Sequence, residues 1–368
     1  MKKTLAILMI LSLMAGFTPA LAQQNTLRIV CTIFPIWDWT RQVLGDQLSD
    51  VELILLQKTG TDLHSFQPSA QDFVSLSTAD VLIFNGGVSD AWVEAAIRQS
   101  QNPDLRTLNL MDALGNRAQP DTLVEGMQPT EHNHEHGHES DADHDHEHEH
   151  EADADHDHDH DHDHDHDHEH EHDHDADHDH EHHDESAHTD EHIWLSVKNA
   201  QVLVEAIRDA LCEADGEHAA AYAQNAQAYL EKLQALDAQY AQVVAKVEHP
   251  ALLFGDRFPF RYLMADYGID YYAAFSGCSA EAEASFQTIA FLAGKVDELK
   301  LSSVIRLDGS DGRIAQAVVN ATTARDQQVL VLDSMQSITW HDVEQGQTYL
   351  SIMEKNLDTL KTAFQVKQ

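Results

Sequence analysis

Basic residues and cysteines are scarce in this sequence. The chain of 368 residues has 22 Lys and Arg against 64 Asp and Glu, and its formal net charge is −42. Proteins that bind nucleic acids need a basic face for the phosphates, so this charge balance excludes a nucleic-acid partner. The only cysteines, Cys31, Cys212 and Cys278, are too far apart for CxxC metal or redox chemistry. A single disulfide, with no pair specified, and buried free thiols both remain open.

The motifs of nucleotide-binding and serine-hydrolase sites are also missing. The sequence contains no P-loop, no GxSxG nucleophile elbow and no GxGxxG fingerprint. The string His-Glu-x-x-His does occur four times, beginning at His134, His146, His168 and His170. It carries little information, because a run rich in His and Glu generates it by chance, whereas a metalloprotease holds it on one helix face. We therefore predict that the protein is not an enzyme.

A tract rich in His, Asp and Glu is the most conspicuous feature of the sequence. Residues 131–192 contain 24 His and 28 Asp or Glu, no Lys or Arg, and strict His-Asp alternation from His156 to His168. Imidazole is the preferred neutral ligand for borderline cations such as Zn²⁺, and nearby carboxylates concentrate cations. We predict that the tract collects metal through many equivalent weak sites. The histidines assigned to this role are His144, His146, His156, His158, His160, His162, His164, His166, His168 and His170.

The same composition predicts that residues 131–191 form a disordered loop. The segment has almost no apolar residues to offset chain entropy, and its acidic groups repel one another. The alternative is a spacer that only maintains solubility, but a spacer needs charge and has no need of imidazole. Without the tract, 36 acidic residues of the 64 remain against 22 basic ones, which is typical of an ordinary acidic soluble protein.

The N-terminus has the three parts of a secretory signal peptide. Two lysines precede an apolar run at residues 5–14, and a small-residue cleavage site follows at residues 20–22. We predict a signal peptide at residues 1–22 and a mature chain that begins near Gln23, in the periplasm or otherwise outside the cytoplasm. The alternative, an amphipathic first helix of a cytosolic domain, does not explain the cleavage pattern. No cysteine follows the cleavage site, so we expect a soluble protein without a lipid anchor.

Outside the tract, short apolar runs alternate with amphipathic helical patterns, which predicts an α/β fold with parallel sheets. The predicted strands are residues 27–33, 51–56, 81–84, 252–254, 269–272, 303–307 and 329–332. The predicted helices are residues 36–44, 70–76, 91–98, 196–211, 217–247, 260–266, 286–299, 314–323 and 348–364.

The alanine-rich helix at 217–247 is the longest of these elements, and it ends where Pro250 prevents continuation. It divides the mature chain into two α/β lobes. We predict an N-terminal lobe at 23–215 that carries the tract, a linking helix at 216–248 and a C-terminal lobe at 249–368.

Four histidines lie outside the tract: His64, His218, His249 and His341. His64 follows a predicted strand in a polar loop, where open α/β sheets place their ligands, so we predict a functional role. His218 and His249 lie at the two ends of the long helix and are predicted to be structural. Within the tract, His192 differs from the rest because an ordered helix follows it, and a fixed backbone could aim its imidazole into a site.

Three motifs are spaced along the chain: Gly60-Thr61-Asp62-Leu63-His64-Ser65-Phe66-Gln67-Pro68, Phe84-Asn85-Gly86-Gly87-Val88-Ser89-Asp90-Ala91-Trp92, and Glu191-His192-Ile193-Trp194-Leu195 with Lys198-Asn199-Ala200. Together they resemble the zinc and manganese receptors of ATP-driven metal importers. The resemblance covers nearly the whole mature chain and includes the long helix. It implies two α/β lobes joined by a rigid helix, one metal ion between them, and delivery to the permease and ATPase subunits of an ABC importer. Members that select zinc often carry a His-rich loop at this place, so we expect Zn²⁺. We also expect a monomer.

The resemblance places His64 and His192 at the two histidine ligands of the N-terminal lobe and Asp333 at the carboxylate ligand of the C-terminal lobe. At the remaining position, Arg257 stands where the family has a His or Glu ligand. Arginine has no lone pair to offer a metal. We expect Asp256 to replace this ligand.

Other solutions for the replaced ligand remain open. Glu281, Glu283 or a water molecule could fill the position, and Arg257 could pair with Asp256, whose carboxylate would then be structural. Two histidines with one or two aspartates suit tetrahedral zinc in any of these cases. Three further functions also remain as alternatives: a receptor for manganese, nickel or copper on the same fold, a secreted metallohydrolase, and a secreted metal buffer.

Overall fold

Parallel strands form the sheet of the N-terminal lobe. The computed structural model describes residues 26–128, 189–277, 279 and 283–366. The strands are β1 (Leu27–Cys31), β2 (Val51–Leu55), β3 (Val81–Phe84) and β4 (Arg106–Asn109), in the order β2-β1-β3-β4. Their pairings are parallel, as the alternation of strands and helices predicts. Strand β3, one of the two interior strands, is apolar and buried throughout, whereas β4 at the edge begins with exposed Arg106 and Thr107.

Helices alternate with these strands. They are α1 (Phe34–Leu44), α2 (Ala70–Ser77), α3 (Ala91–Arg98), α4 (Leu110–Leu114) and α5 (Val197–Ala214). Helix α1 has Pro35 in its first turn, where the missing N–H costs nothing, and ends at Gly45. Helix α2 begins with a capping box, in which Ser69 Oγ accepts from Asp72 N and the Asp72 carboxylate accepts from Ser69 N.

The C-terminal lobe repeats this plan. Its strands are β5 (Ala251–Phe258), β6 (Asp270–Ser276), β7 (Ser303–Leu307) and β8 (Gln328–Leu332), all parallel and in the order β6-β5-β7-β8. Its helices are α7 (Arg261–Tyr267), α8 (Phe286–Leu299), α9 (Arg313–Ala321), α10 (Trp340–Glu344) and α11 (Tyr349–Ala363). The register of β5 against β6 shifts between Phe254 and Arg257. Such irregularities redirect side chains and often lie beside functional sites.

The long helix α6 (Ala219–Val244) follows the N-terminal lobe. Its buried positions recur at helical spacing and include Tyr222, Ala226, Tyr229, Leu230, Leu233, Leu236 and Tyr240. They belong to one apolar cluster that also contains residues of both sheets. The predicted fold class, two parallel α/β lobes joined by one long helix, is confirmed.

The last helix, α11, returns to the N-terminal lobe. Tyr349 N donates to Asp38 Oδ2 (2.9 Å), and Tyr349 OH donates to Trp194 O (2.8 Å). Trp194 Nε1 in turn donates to Ser334 O in the C-terminal lobe (2.9 Å). Burial raises the pKa of Asp38, which is fully enclosed. The two lobes therefore share buried hydrogen bonds in addition to the apolar cluster.

Several predictions concern residues outside the described ranges. The signal peptide, most of the His-rich tract with its ten metal-collecting histidines, Cys278 and Glu281 all lie there. The chain on either side of the tract is described, and an antiparallel bridge joins Pro120 to Thr189. Cys31 and Cys212 are free thiols. Among the helices of the described ranges, none combines the length and the apolar content that crossing a membrane requires.

Candidate metal centre

His64 lies on a short 3-10 turn, Leu63–Ser65, in the loop that follows β2. Asp62 caps this turn, because its Oδ1 accepts a hydrogen bond from His64 N (2.9 Å). Leu63 points into the core and is buried. A polar cap and an apolar anchor thus fix the backbone of His64 at the carboxyl end of a parallel strand, the edge at which open α/β sheets bind ligands.

His192 lies just before the 3-10 turn Ile193–Leu195, whose three residues are buried. Its own side chain is fully buried. Gly277 approaches the ring so closely that a Cβ at this position would lie 2.8 Å from His192 Cε1. A side chain at position 277 would therefore displace the imidazole, and glycine is required there for this close approach.

The two imidazoles meet with their Nε2 atoms 3.2 Å apart. In tetrahedral zinc sites with Zn–N distances near 2.05 Å, two nitrogen ligands lie about 3.3 Å from each other. The observed separation therefore matches that of two ligands of one zinc ion.

Asp190 orients the ring of His192. His192 Nδ1 donates to Asp190 Oδ1 (2.8 Å), and the backbone N of His192 donates to the same oxygen (2.8 Å). Burial alone would raise the pKa of Asp190, but the adjacent His192 and its two hydrogen bonds hold it below its ordinary value. Because the ionised carboxylate accepts the Nδ1 proton, Nε2 keeps its lone pair for a metal.

The ring of His64 is held less directly. Its Nδ1 lies 2.8 Å from Ser89 Oγ and 3.8 Å from Glu191 Oε2. Burial, followed by the nearby His192, lowers the pKa of His64 to about 4. The imidazole is therefore neutral near pH 7, as a metal ligand must be.

Helix α7 of the C-terminal lobe contacts the residues around His192. Tyr262 OH accepts from Gln119 N (3.0 Å) and donates to Asp190 O (2.8 Å). Arg261 forms ion pairs with Asp121 (Nη2 to Oδ1, 3.2 Å) and Asp190 (Nε to Oδ2, 3.4 Å). Two neighbouring residues of one helix thus contact the chain both before the tract and near its C-terminal end.

Asp333 lies directly after β8, at the carboxyl end of the second sheet. Asn356 holds its backbone, and its Oδ1 accepts from Met335 N (2.8 Å). Burial, followed by the neighbouring carboxylate of Asp308, raises the pKa of Asp333 to about 7. Asp308 itself accepts from Ser334 N (2.5 Å) and from the hydroxyls of Ser334 and Ser337.

Asp256 and Arg257 are both engaged elsewhere. Asp256 Oδ1 accepts from Arg257 N (2.9 Å), and Oδ2 accepts from Leu307 N (3.1 Å), so backbone amides use both oxygens. Arg257 Nη2 pairs with Asp62 Oδ2 (2.8 Å) rather than with the side chain of Asp256. This ion pair links the C-terminal lobe to the residue that caps the turn of His64. Glu283 is exposed.

The structure therefore brings together His64 and His192 from the expected ligand set. Within the described ranges, no group of three or more His, Cys, Asp or Glu side chains is placed to hold a metal ion together. Asp333 and Asp256 accordingly stay predictions as ligands. His218 contacts Asp215 (Nδ1 to Oδ2, 2.7 Å).

The surrounding residues Asp190, Glu191 and Ser89 were not expected to support the site. A sequence signal existed, since Asp190 and Glu191 directly precede His192, and Ser89 belongs to the motif at residues 84–92. The sequence does not show which of these residues hydrogen-bond to which imidazole, because that depends on how loops distant in the chain are packed together.

Comparison with known proteins finds relatives over nearly the whole chain. The zinc-binding lipoprotein AdcA of Streptococcus pneumoniae is 29% identical over 361 residues, which cover 96% of this chain and 60% of that protein. The high-affinity zinc uptake system protein ZnuA of Bacillus subtilis is 24% identical over 343 residues, 93% of this chain and 89% of that protein. This chain thus spans less than two thirds of the length of AdcA.

A solved structure shares the fold. The Zn(II)-bound ZnuA-like domain of S. pneumoniae AdcA superposes with a TM-score of 0.61 at 25% identity, and the match covers 92% of this chain and 99% of that one. The model of the family described as zinc-uptake complex component A, periplasmic, matches residues 29–363, a range that includes both sheets, the long helix, His64 and His192. The chain therefore belongs to the family of periplasmic zinc-uptake complex component A.

Proposed function

We propose that the protein is an extracytoplasmic receptor that binds Zn²⁺ and delivers it to the membrane permease and ATPase subunits of an ABC importer. The observation that carries this proposal is the pair of imidazoles whose Nε2 atoms lie 3.2 Å apart. Two neutral nitrogen ligands at this spacing favour a cation of low coordination number over Ca²⁺ or Mg²⁺, which prefer six or more oxygens. The relatives named as zinc-binding and zinc-uptake proteins support the same ion.

The proposed ligand set is His64, His192 and Asp333. Asp256 is the weaker candidate for a further ligand, because backbone amides already use both of its oxygens. Water is the alternative at that position. No catalysis is part of the proposal, and the ion is cargo that must leave again.

The His-rich tract has an auxiliary role in this proposal. Its many imidazoles and carboxylates would raise the local concentration of zinc and exchange it quickly, whereas the pair of His64 and His192 would bind one ion tightly. The signal-peptide pattern at residues 1–22 supports a location outside the cytoplasm, where such a collector meets metal.

The double variant His64→Ala with His192→Ala tests the assignment. We expect it to lose the single tight zinc site, because both nitrogen ligands are removed, while weak binding of several ions by the tract continues. Titration calorimetry in competition with a chelator separates the two kinds of site. A tight site that survives in the double variant would contradict the proposal.

The competing metals need a separate measurement. Affinity order alone favours copper over zinc, and a receptor for manganese, nickel or copper on the same fold is the alternative to a zinc receptor. Metal content after purification without added metal identifies the ion, and zinc in a ratio near one at the tight site is the expected result.

A further inference from the structure

Glu191 has a buried carboxylate oxygen that nothing satisfies. The residue is 3% exposed, and its Oε2 has no hydrogen-bond partner among the described residues. A buried oxygen of this kind costs free energy, so its presence beside a binding site requires a reason. His64 Nδ1 lies 3.8 Å away from it.

The neighbouring turn holds Glu191 at this place. Ser89 N donates to Glu191 Oε1 (3.0 Å), and Asn85 Nδ2 donates to Glu191 O (2.9 Å). Gly87 has a φ of +83°, and a Cβ there would lie 2.7 Å from Glu191 Cδ. The turn that follows β3 is thus shaped around this side chain, although none of its residues is a proposed ligand.

Asp190 and Glu191 occupy comparable positions behind the two imidazoles. Asp190 accepts the Nδ1 proton of His192, and Glu191 Oε2 lies on the Nδ1 side of His64. The two ring nitrogens of an imidazole point in different directions, so a carboxylate at Nδ1 acts on the ring proton rather than on a metal at Nε2. Consecutive residues of the chain therefore face one imidazole each.

We propose that Glu191 is the positioning residue for His64, and that its negative charge keeps the ring proton on Nδ1 so that Nε2 is free for metal. The inference rests on the proposed zinc site. Ser89 Oγ, at 2.8 Å, is the acceptor of that proton. Glu191 supplies the charge that favours this arrangement, and the Ser89 hydroxyl supplies the hydrogen bond.

The charge matters because a second arrangement competes. If His64 carried its proton on Nε2, it would donate to His192 Nε2, which lies 3.2 Å away and has a lone pair. The two ligands would then bind each other, and no lone pair of His64 would face the metal. Asp190 holds the His192 proton on Nδ1 and so leaves His192 Nε2 able to accept this bond. The charge of Glu191 beside His64 Nδ1 is therefore what disfavours the self-paired state.

The variant Glu191→Gln in the full mature chain tests the inference. Glutamine keeps an oxygen for Ser89 N–H and nearly the same shape, but it removes the charge. We expect zinc affinity to fall by about 10–100-fold, the usual cost of losing a carboxylate behind a histidine ligand, with an unchanged melting temperature. Chelator competition measures the affinity, and Glu94→Gln, an exposed residue on α3, is the control for loss of charge.

The tautomer is measured independently of zinc. In metal-free protein labelled with ¹⁵N-histidine, NMR shifts distinguish a proton on Nδ1 from one on Nε2, and the His64 signal is assigned by difference from His64→Gln. We expect the proton on Nδ1 in the wild type and a shift toward Nε2 in Glu191→Gln. Glu191→Asp, which keeps the charge, should bind zinc more tightly than the Gln variant.

Wild-type affinity in Glu191→Gln, or an unchanged His64 tautomer, would overturn the inference. So would an Asp variant that binds as weakly as the Gln variant, because charge would then not be the operative property. A wild-type protein with no tight zinc site would instead contradict the proposed function, and the tautomer of the metal-free protein would still decide the role of Glu191.

Discussion

The proposed ligand Asp333 ionises less readily than an ordinary aspartate, whereas binding a cation would require its charge. Burial and the neighbouring Asp308 raise the pKa of Asp333 from 3.8 to about 7. Between these values the folded protein holds a proton that the unfolded chain has lost. The free energy of unfolding therefore falls as the pH rises from about 4 to 7, and the lost stability is not regained above pH 7. Ionisation of Asp333 therefore destabilises the metal-free protein at neutral pH, and a cation bound at the proposed site would offset this loss of stability.

Asp333→Asn should make the metal-free protein more stable at pH 8, because the amide needs no ionisation. We expect a melting temperature higher by about 2–4 °C, which corresponds to about 1 kcal/mol in a protein of this size. The difference should nearly vanish at pH 4, where the wild-type carboxyl is protonated. Asp326→Asn, an exposed carboxylate just before β8, is the control. Equal differences at both pH values would show that the buried charge is not the cause.

Some residues of the candidate site can be predicted from the sequence, and others cannot. His64 was conspicuous because only four histidines lie outside the tract, and His192 because an ordered helix follows it. The engagement of Asp256 by two backbone amides could not be foreseen, since one of them, Leu307 N, belongs to β7, 51 positions along the chain. Nor could the pairing of Arg257 with Asp62, residues 195 positions apart in the chain.

At the level of elements, the predicted strands and helices agree with the structure where a continuous apolar or amphipathic pattern exists. The long helix predicted at 217–247 is Ala219–Val244. Strand β4 and helix α4 were missed because each has only four or five residues, and β4 begins with two exposed polar ones. The prediction of β5 at 252–254 was too short, because the strand continues through the register shift to Phe258.

The variant Gly87→Ala tests the contact between the turn after β3 and Glu191. The substitution strains a backbone with φ of +83° and also forces a Cβ against Glu191. We expect a loss of stability of about 1–3 kcal/mol together with weaker zinc binding. Gly346→Ala is a matched control, because its φ is +87° and an added Cβ meets nothing within 4 Å. Denaturant unfolding and chelator competition give the two readings.

The control should lose stability but keep its zinc affinity. If both variants bind zinc as the wild type does, the contact between the turn and Glu191 has no influence on the site.

Across the molecule as a whole, the described chain before the tract is joined to the described chain at the end of the tract. Helix α7 contacts the chain before the tract through Gln119 and the C-terminal end of the tract through Asp190. The bridge between Pro120 and Thr189 joins the same two stretches. The described residues on the two sides of residues 129–188 are therefore held next to each other.

Deleting residues 131–186 should leave one tight zinc site and remove the capacity for further ions. The reason is that Asp190, Glu191 and His192 all remain in place. Calorimetry and metal analysis at saturation measure the two quantities. A longer deletion, of residues 131–190, is the matched comparison, because it removes Asp190 and should weaken the tight site as well. Loss of all binding in the shorter deletion would favour a metal buffer over a receptor.

The bridge between Pro120 and Thr189 has a consequence for how such a protein can change over generations. A segment whose two ends are already joined affects the rest of the fold mainly through loop entropy, and doubling its length costs only about 0.6 kcal/mol. Insertions, deletions and altered His-Asp repeats should therefore be tolerated better there than substitutions around the two imidazoles. In the proposed receptor, collecting capacity and binding selectivity would then evolve at different speeds within one gene.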